Sequence, residues 1–127
     1  MPLYTVSTKT NLSPQHKNEI VCAITEIHCQ LTGAPADFVQ VVFSFGVSLP
    51  KQFDAHVTGS IRSGRTQEVK AELTEKICSA IANALNSERH KIESVLLDVP
   101  AKWVIEGGEI MPQPGEEDEW YEQLSTH

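Results

Sequence analysis

Pro2 stands directly behind Met1, and a methionine before so small a residue is commonly trimmed in the cell. Trimming leaves the proline nitrogen as a secondary amine at the chain terminus. A free α-amino group has a pKa of about 8, and nearby positive charge lowers it, so such a nitrogen can be a neutral base near pH 7. An acylated proline nitrogen has no base character at all. Many chains begin Met-Pro for no chemical reason, so the residues placed around Pro2 decide whether it matters.

The chain has only three arginines, and two of them lie in Ile61-Arg62-Ser63-Gly64-Arg65, where a strand gives way to a helix. Two guanidinium groups around a glycine, followed by free N–H groups at a helix start, suit a carboxylate or a phosphate. They also lower the pKa of an amine beside them. The same pair serves equally as solvated surface cations facing some of the 17 acidic residues. His28 follows Ile24 and precedes Leu31 at the edge of an apolar stripe. There it can donate a hydrogen bond to a carboxylate or carbonyl, or simply fill a helix flank. Glu106, between Trp103-Val104-Ile105 and Gly107-Gly108, is either a carboxyl raised toward a useful pKa by apolar surroundings or an ordinary surface glutamate in a turn.

The elements that must hold these side chains come twice. Leu3 to Ser7 reads as a strand, and Ser13-Pro14 as a helix start, the hydroxyl capping and the proline sitting in the first turn. Ile20, Ala23, Ile24, Ile27 and Leu31 recur at helical spacing until Gly33 ends the run, and Phe38 to Phe45 is β-rich. A second strand–helix–strand order follows: Ala55 to Ile61, weakened by Gly59, then a helix opening at Arg65-Thr66 with Val69, Leu73, Ile77, Ile81 and Leu85 in step, then Ile92 to Val99 after a break at Asn86-Ser87. Laid on one another, the copies match Ile20 with Leu73, Ile24 with Ile77, Gly33 with Asn86 and Val39 with Ile92, a weak internal repeat. Pro2 then falls on Ala55, so the chain start matches an interior position of the second copy.

These patterns predict one α+β domain over residues 1–127, built from two consecutive β-α-β units at about 2–45 and 55–99. Each unit should be a right-handed crossover joining parallel strands, giving a four-stranded sheet with both helices on one face. The other face should be largely apolar and uncovered, which a 14.0 kDa monomer tolerates poorly, so self-association is expected. The tail, 100–127, breaks the repeat and predicts a short hairpin and helical piece. Its expected parts are a turn over Pro100–Glu106, a reversal at Gly107-Gly108, an irregular Met111-Pro112-Gln113-Pro114-Gly115, and a last helical turn over Asp118–Leu124 anchored by Trp120 and Tyr121.

Composition narrows the classes of function. With 40% hydrophobic and 21% charged residues the chain reads as a soluble globular protein, and a net charge of −7 without a basic stripe argues against nucleic acid. No apolar run approaches the roughly 20 residues of a membrane span. The start lacks the basic-then-apolar order of a signal peptide, so a cytoplasmic location is expected. Cys22, Cys29 and Cys78 are odd in number and fall in helical patterns, which reads as reduced thiols. Cys22 and Cys29 share a helix face beside His28, but no second ligand cluster accompanies them, so neither a metal nor another cofactor is expected.

An early proline followed by a doubled β-α-β unit resembles the tautomerase superfamily, and the details are similar to its cis-3-chloroacrylic acid dehalogenase branch. The stretches that carry the likeness are Ala23-Ile24-Thr25 to His28, Leu31-Thr32-Gly33, the Arg62/Arg65 pair, Glu106-Gly107, and Pro112-Gln113-Pro114-Gly115-Glu116 through Glu119-Trp120. The resemblance implies a trimer with Pro2 at the floor of a pocket. It implies that Arg62 and Arg65 hold a substrate carboxylate, His28 assists binding and polarisation, and Glu106 activates water. Pro2 would then move a proton as a base or, when protonated, deliver one to carbon. Two departures weaken dehalogenation. Val95 stands where that branch has a tyrosine, and Gly108-Glu109 stands where a basic residue is expected.

Two functions follow from this reading. The first is a tautomerase-like enzyme in which Pro2 transfers a proton on a small keto or unsaturated carboxylic acid, with hydratase or dehalogenase side activity. The second is a non-catalytic trimeric module that binds carboxylates through Arg62 and Arg65 and is indifferent to Met1.

Overall fold

The computed structural model describes residues 1–103, 105–106 and 109–110, and its frame is two strand–helix–strand units sharing one sheet. The first comprises β1 (Leu3–Thr8), α1 (Pro14–Thr32) and β2 (Gln40–Ser44). The second comprises β3 (Ala55–Arg62), α2 (Gln67–Ala84) and β4 (Ile92–Val99). Strand order is β2-β1-β3-β4, parallel within each unit and antiparallel where β1 meets β3 at the centre. The two helices pack on each other and share one core with the sheet, so the α+β architecture read from the sequence is the one observed.

Local chemistry sets the helix ends. Ser13 Oγ accepts from the His16 N–H at 3.1 Å, and Pro14 fills a position whose N–H would have no intrahelical partner. At the far end Gly33 takes φ +74°, and its N–H donates to the Cys29 carbonyl at 2.9 Å. Thr66 repeats the Ser13 device on the Val69 N–H at 3.1 Å. Asn86, which the repeat matches to Gly33, also takes a left-handed conformation, φ +53°.

In β1 the alternation is strict: Tyr4, Val6 and Thr8 are buried and point to the helices, while Leu3 faces outward. Gly59, expected only to weaken β3, has a tertiary reason. A Cβ there would lie 2.7 Å from both the Tyr4 Cε1 and the Leu96 Cδ2 atoms, so the missing side chain makes room for the Tyr4 ring.

The outer sheet face differs from expectation. Leu3, Val42, Val95 and Leu97 are exposed on it, but Thr5, Ser7, Thr58 and Ser60 form a polar spine along the central strands. His56 lies on the same face, its Nδ1 2.7 Å from Glu93 and its Nε2 2.9 Å from Thr58 Oγ1. The face is therefore mixed rather than largely apolar, because Ser and Thr take the outward positions of β1 and β3.

After β4 a 3-10 turn spans Ala101–Trp103, and β5 (Ile105–Glu106) pairs antiparallel with β6 (Glu109–Ile110), the expected hairpin. The expected Gly107-Gly108 reversal, the Met111–Gly115 segment and the Asp118–Leu124 turn with Trp120 and Tyr121 lie outside the described residues. No described helix is long and apolar enough to cross a membrane.

Candidate active site

Pro2 is fully buried, and its carbonyl accepts from the Gln40 N–H at 3.0 Å. The second residue of the chain is thus already tied to the start of β2. Arg62 closes β3 and is 7% exposed. The Ser63 N–H donates to the Val99 carbonyl at 2.9 Å, and Gly64, at φ +104°, turns the chain so that Arg65 sits just ahead of the Thr66 cap. A side chain at that φ would be strained, which gives this glycine its purpose.

His28 occupies the last buried turn of α1. It ends the buried stripe Ile20-Ile24-His28 as a full member of it rather than flanking it, and it is 2% exposed. Its Nδ1 is 2.8 Å from the Tyr4 hydroxyl, with the two rings edge to face. A single cavity is lined by Pro2, His28, Arg62 and Arg65 together with Met1, Ala34 and Phe38. Four of the five residues singled out from sequence therefore meet at one place, drawn from the chain start, α1, the end of β3 and the turn into α2. The fifth, Glu106, lies in β5, and its side chain is outside the described residues. Trp103, expected to help enclose it, is 72% exposed. Val95 lies on the outer sheet face, away from this cavity.

The electrostatics of the cavity favour neutral nitrogen beside fixed cations. The Met1 α-amine is lowered from 8.0 to about 6, by burial first and by Arg62 second. His28 is lowered from 6.5 to about 4, again mainly by burial, with Arg65, the amino terminus and Arg62 adding to it. Burial raises the Tyr4 phenol, and Arg65 opposes part of that rise. At pH 7 the imidazole and the phenol are neutral and the amine is mostly so. The two guanidinium groups suit an anion, and their charge disfavours a metal cation.

With Met1 in place the free space is about 10 Å³, room for a single water at most. Met1 thus blocks the proline nitrogen and fills the cavity at once. Sequence reasoning missed Tyr4, Ala34 and Phe38. Tyr4 was within reach of it, because two residues past Pro2 in a strand is the same side of the sheet. The three cysteines are free, Cys22 exposed, Cys29 half-buried and Cys78 buried, and none lines the cavity.

No family model and no curated protein matches the sequence. Solved structures do match it. The crystal structure of N1, described as a member of the cis-3-chloroacrylic acid dehalogenase family, aligns at a TM-score of 0.84 and 26% identity over 98% of this chain and 99% of that one. Native Ps01740 aligns at 0.74 and 28% identity over 82% of this chain and 99% of its own. Native fused 4-OT aligns at 0.75 over 85% of this chain and 94% of that one; at 19% identity this shows a shared fold alone. Other fused 4-OT structures are described as trimers. In fold this chain is therefore tautomerase-like, and along almost its whole length it resembles a member of the cis-3-chloroacrylic acid dehalogenase branch.

Proposed function

We propose that this protein is a tautomerase-like enzyme acting on a small 2-oxo carboxylic acid, with the nitrogen of Pro2, freed by removal of Met1, as the proton carrier. The observation that carries this reading is the single cavity shared by Pro2, His28, Arg62 and Arg65.

In the proposed reaction Arg62 and Arg65 clamp the substrate carboxylate, placing the carbon next to the carbonyl beside Pro2. The neutral amine takes a proton from that carbon. The electron pair left behind moves onto the carbonyl oxygen, where a hydrogen bond from neutral His28 stabilises the enolate. The ammonium then returns its proton to oxygen or to carbon, so nothing is gained or lost overall. The burial and the Arg62 charge that lower the Met1 amine in this cavity would lower a Pro2 amine in the same direction. That favours this base chemistry over hydration, which needs a protonated proline. Glu106 is proposed as an accessory proton carrier from the tail.

The working assembly is proposed to be a homotrimer joined through the outer sheet face, where Leu3, Val42, Val95 and Leu97 otherwise meet water. The test is turnover of phenylpyruvate by Met1-free protein and by its Pro2→Ala variant. A fall of roughly a hundredfold or more in the variant is expected for loss of an acid–base group. A fall of only a few-fold would remove Pro2 from the chemistry.

A further inference from the structure

Resting on the reading of the cavity as a substrate site, we infer that Tyr4 is a positioning residue: its hydroxyl donates to His28 Nδ1 and so holds the imidazole as the Nε2–H tautomer, an obligate donor toward the cavity.

Tyr4 and His28 are buried together, with Tyr4 Oη and His28 Nδ1 2.8 Å apart. A neutral imidazole carries one ring proton and a phenol carries one hydroxyl proton, and only one of these can lie between the two atoms. If Nδ1–H donated, the phenol proton would need another acceptor, and among the described residues the Tyr4 hydroxyl has none. A buried phenol without an acceptor is costly, whereas an Nε2–H on the cavity side can meet water or a substrate, so the hydroxyl donates and the ring proton sits on Nε2. With Nδ1 turned to the core, Nε2 is the nitrogen left to the cavity that His28 lines.

The consequence is chemical selectivity. A lone pair at Nε2 would repel a developing enolate oxygen, whereas an N–H stabilises it. Together with two guanidiniums it makes a site that offers donors to the substrate. That fits a 2-oxo acid, whose carbonyl accepts, and disfavours a 2-amino acid, whose ammonium needs an acceptor. Gly59 belongs to the same device. It leaves the space in which the Tyr4 ring lies, so a side chain there would push the hydroxyl off the imidazole.

The test is long-range ¹H–¹⁵N NMR of the His28 ring in Met1-free protein, with steady-state kinetics on phenylpyruvate. Wild type should show Nε2 protonated and Nδ1 bare across pH 5 to 8. Tyr4→Phe should admit the other tautomer and lower kcat by roughly two- to tenfold, the worth of one neutral hydrogen bond, with little change in KM. Gly59→Ala keeps the hydroxyl but displaces the ring, so it should show the same ring signature and serves if Tyr4→Phe misfolds. Nδ1 protonated in wild type, or ring signals and kcat unchanged in both variants, would overturn the inference. The NMR result stands apart from turnover: a bare Nδ1 in a protein that Pro2→Ala leaves unaltered would fault the enzyme reading and spare this one.

Discussion

Gln40 donates its backbone N–H to the carbonyl of Pro2 at 3.0 Å, so the second residue of this chain is already fixed by the edge strand of the sheet. A terminus held in this way leaves its nitrogen little freedom to wander. For the base proposed at Pro2, the entropy of placing it would be met during folding rather than during each turnover.

Retaining Met1 should abolish both turnover and binding. The methionine acylates the proline nitrogen and leaves about 10 Å³ free in the cavity. Calorimetric titration of phenylpyruvate into Met1-retaining and Met1-free protein checks this, with heat of binding expected from the second alone. Equal binding by both forms would support a carboxylate-binding module instead.

Arg62→Ala should do two things. Losing a charge-assisted contact to the carboxylate should lower kcat/KM by roughly ten- to a hundredfold. Because Arg62 helps depress the Met1 amine in this cavity, its removal should let the pKa of a terminal amine placed there rise. A base must be unprotonated to act, so the acid limb of the kcat/KM profile should move to higher pH. Arg65→Ala should weaken binding and should affect His28 more than the amine, because Arg65 is the leading cation acting on the imidazole. A pH–rate profile for each variant separates the two.

Acid should unfold this protein partly through His28. Its folded pKa of about 4 lies below the ordinary 6.5, so the unfolded chain binds a proton first as pH falls. The stability of the neutral, buried imidazole is whole above pH 6.5 and drains away between 6.5 and 4, by on the order of 3 kcal/mol. Urea unfolding at pH 7 and pH 4.5 should show a smaller drop for His28→Gln than for wild type.

Leu97→Glu should dissociate the proposed trimer. Leu97 is 49% exposed on the outer face of edge strand β4, and burying a carboxylate against a second copy is unfavourable. Light scattering should read a monomer's mass for the variant and three times that for wild type. An unchanged mass would place the assembly on another surface.

The sequence made some of this legible and hid the rest for physical reasons. Ser13, Thr66 and Gly33 act within a few residues of themselves, so the helix ends could be read directly. The strand pairing followed from the repeat, since parallel strands joined by a helix leave few topologies. Tyr4 and His28 are 24 residues apart, and their bond exists only because β1 and α1 pack together. Gly59 looked like a flaw because the Tyr4 ring that fills its space comes from the neighbouring strand. The mixed outer face was misjudged because apolar runs in β2 and β4 outweighed the Ser and Thr residues that alternate outward along β1 and β3.

The most direct test is a titration of the Pro2 nitrogen in ¹⁵N-labelled, Met1-free protein. The account predicts a midpoint below the ordinary value of about 8, because burial and Arg62 lower the Met1 amine in the same cavity, and a rise in Arg62→Ala. A midpoint at or above 8 that ignores Arg62 would contradict it, because the amine would then be protonated at neutral pH and unable to act as the base.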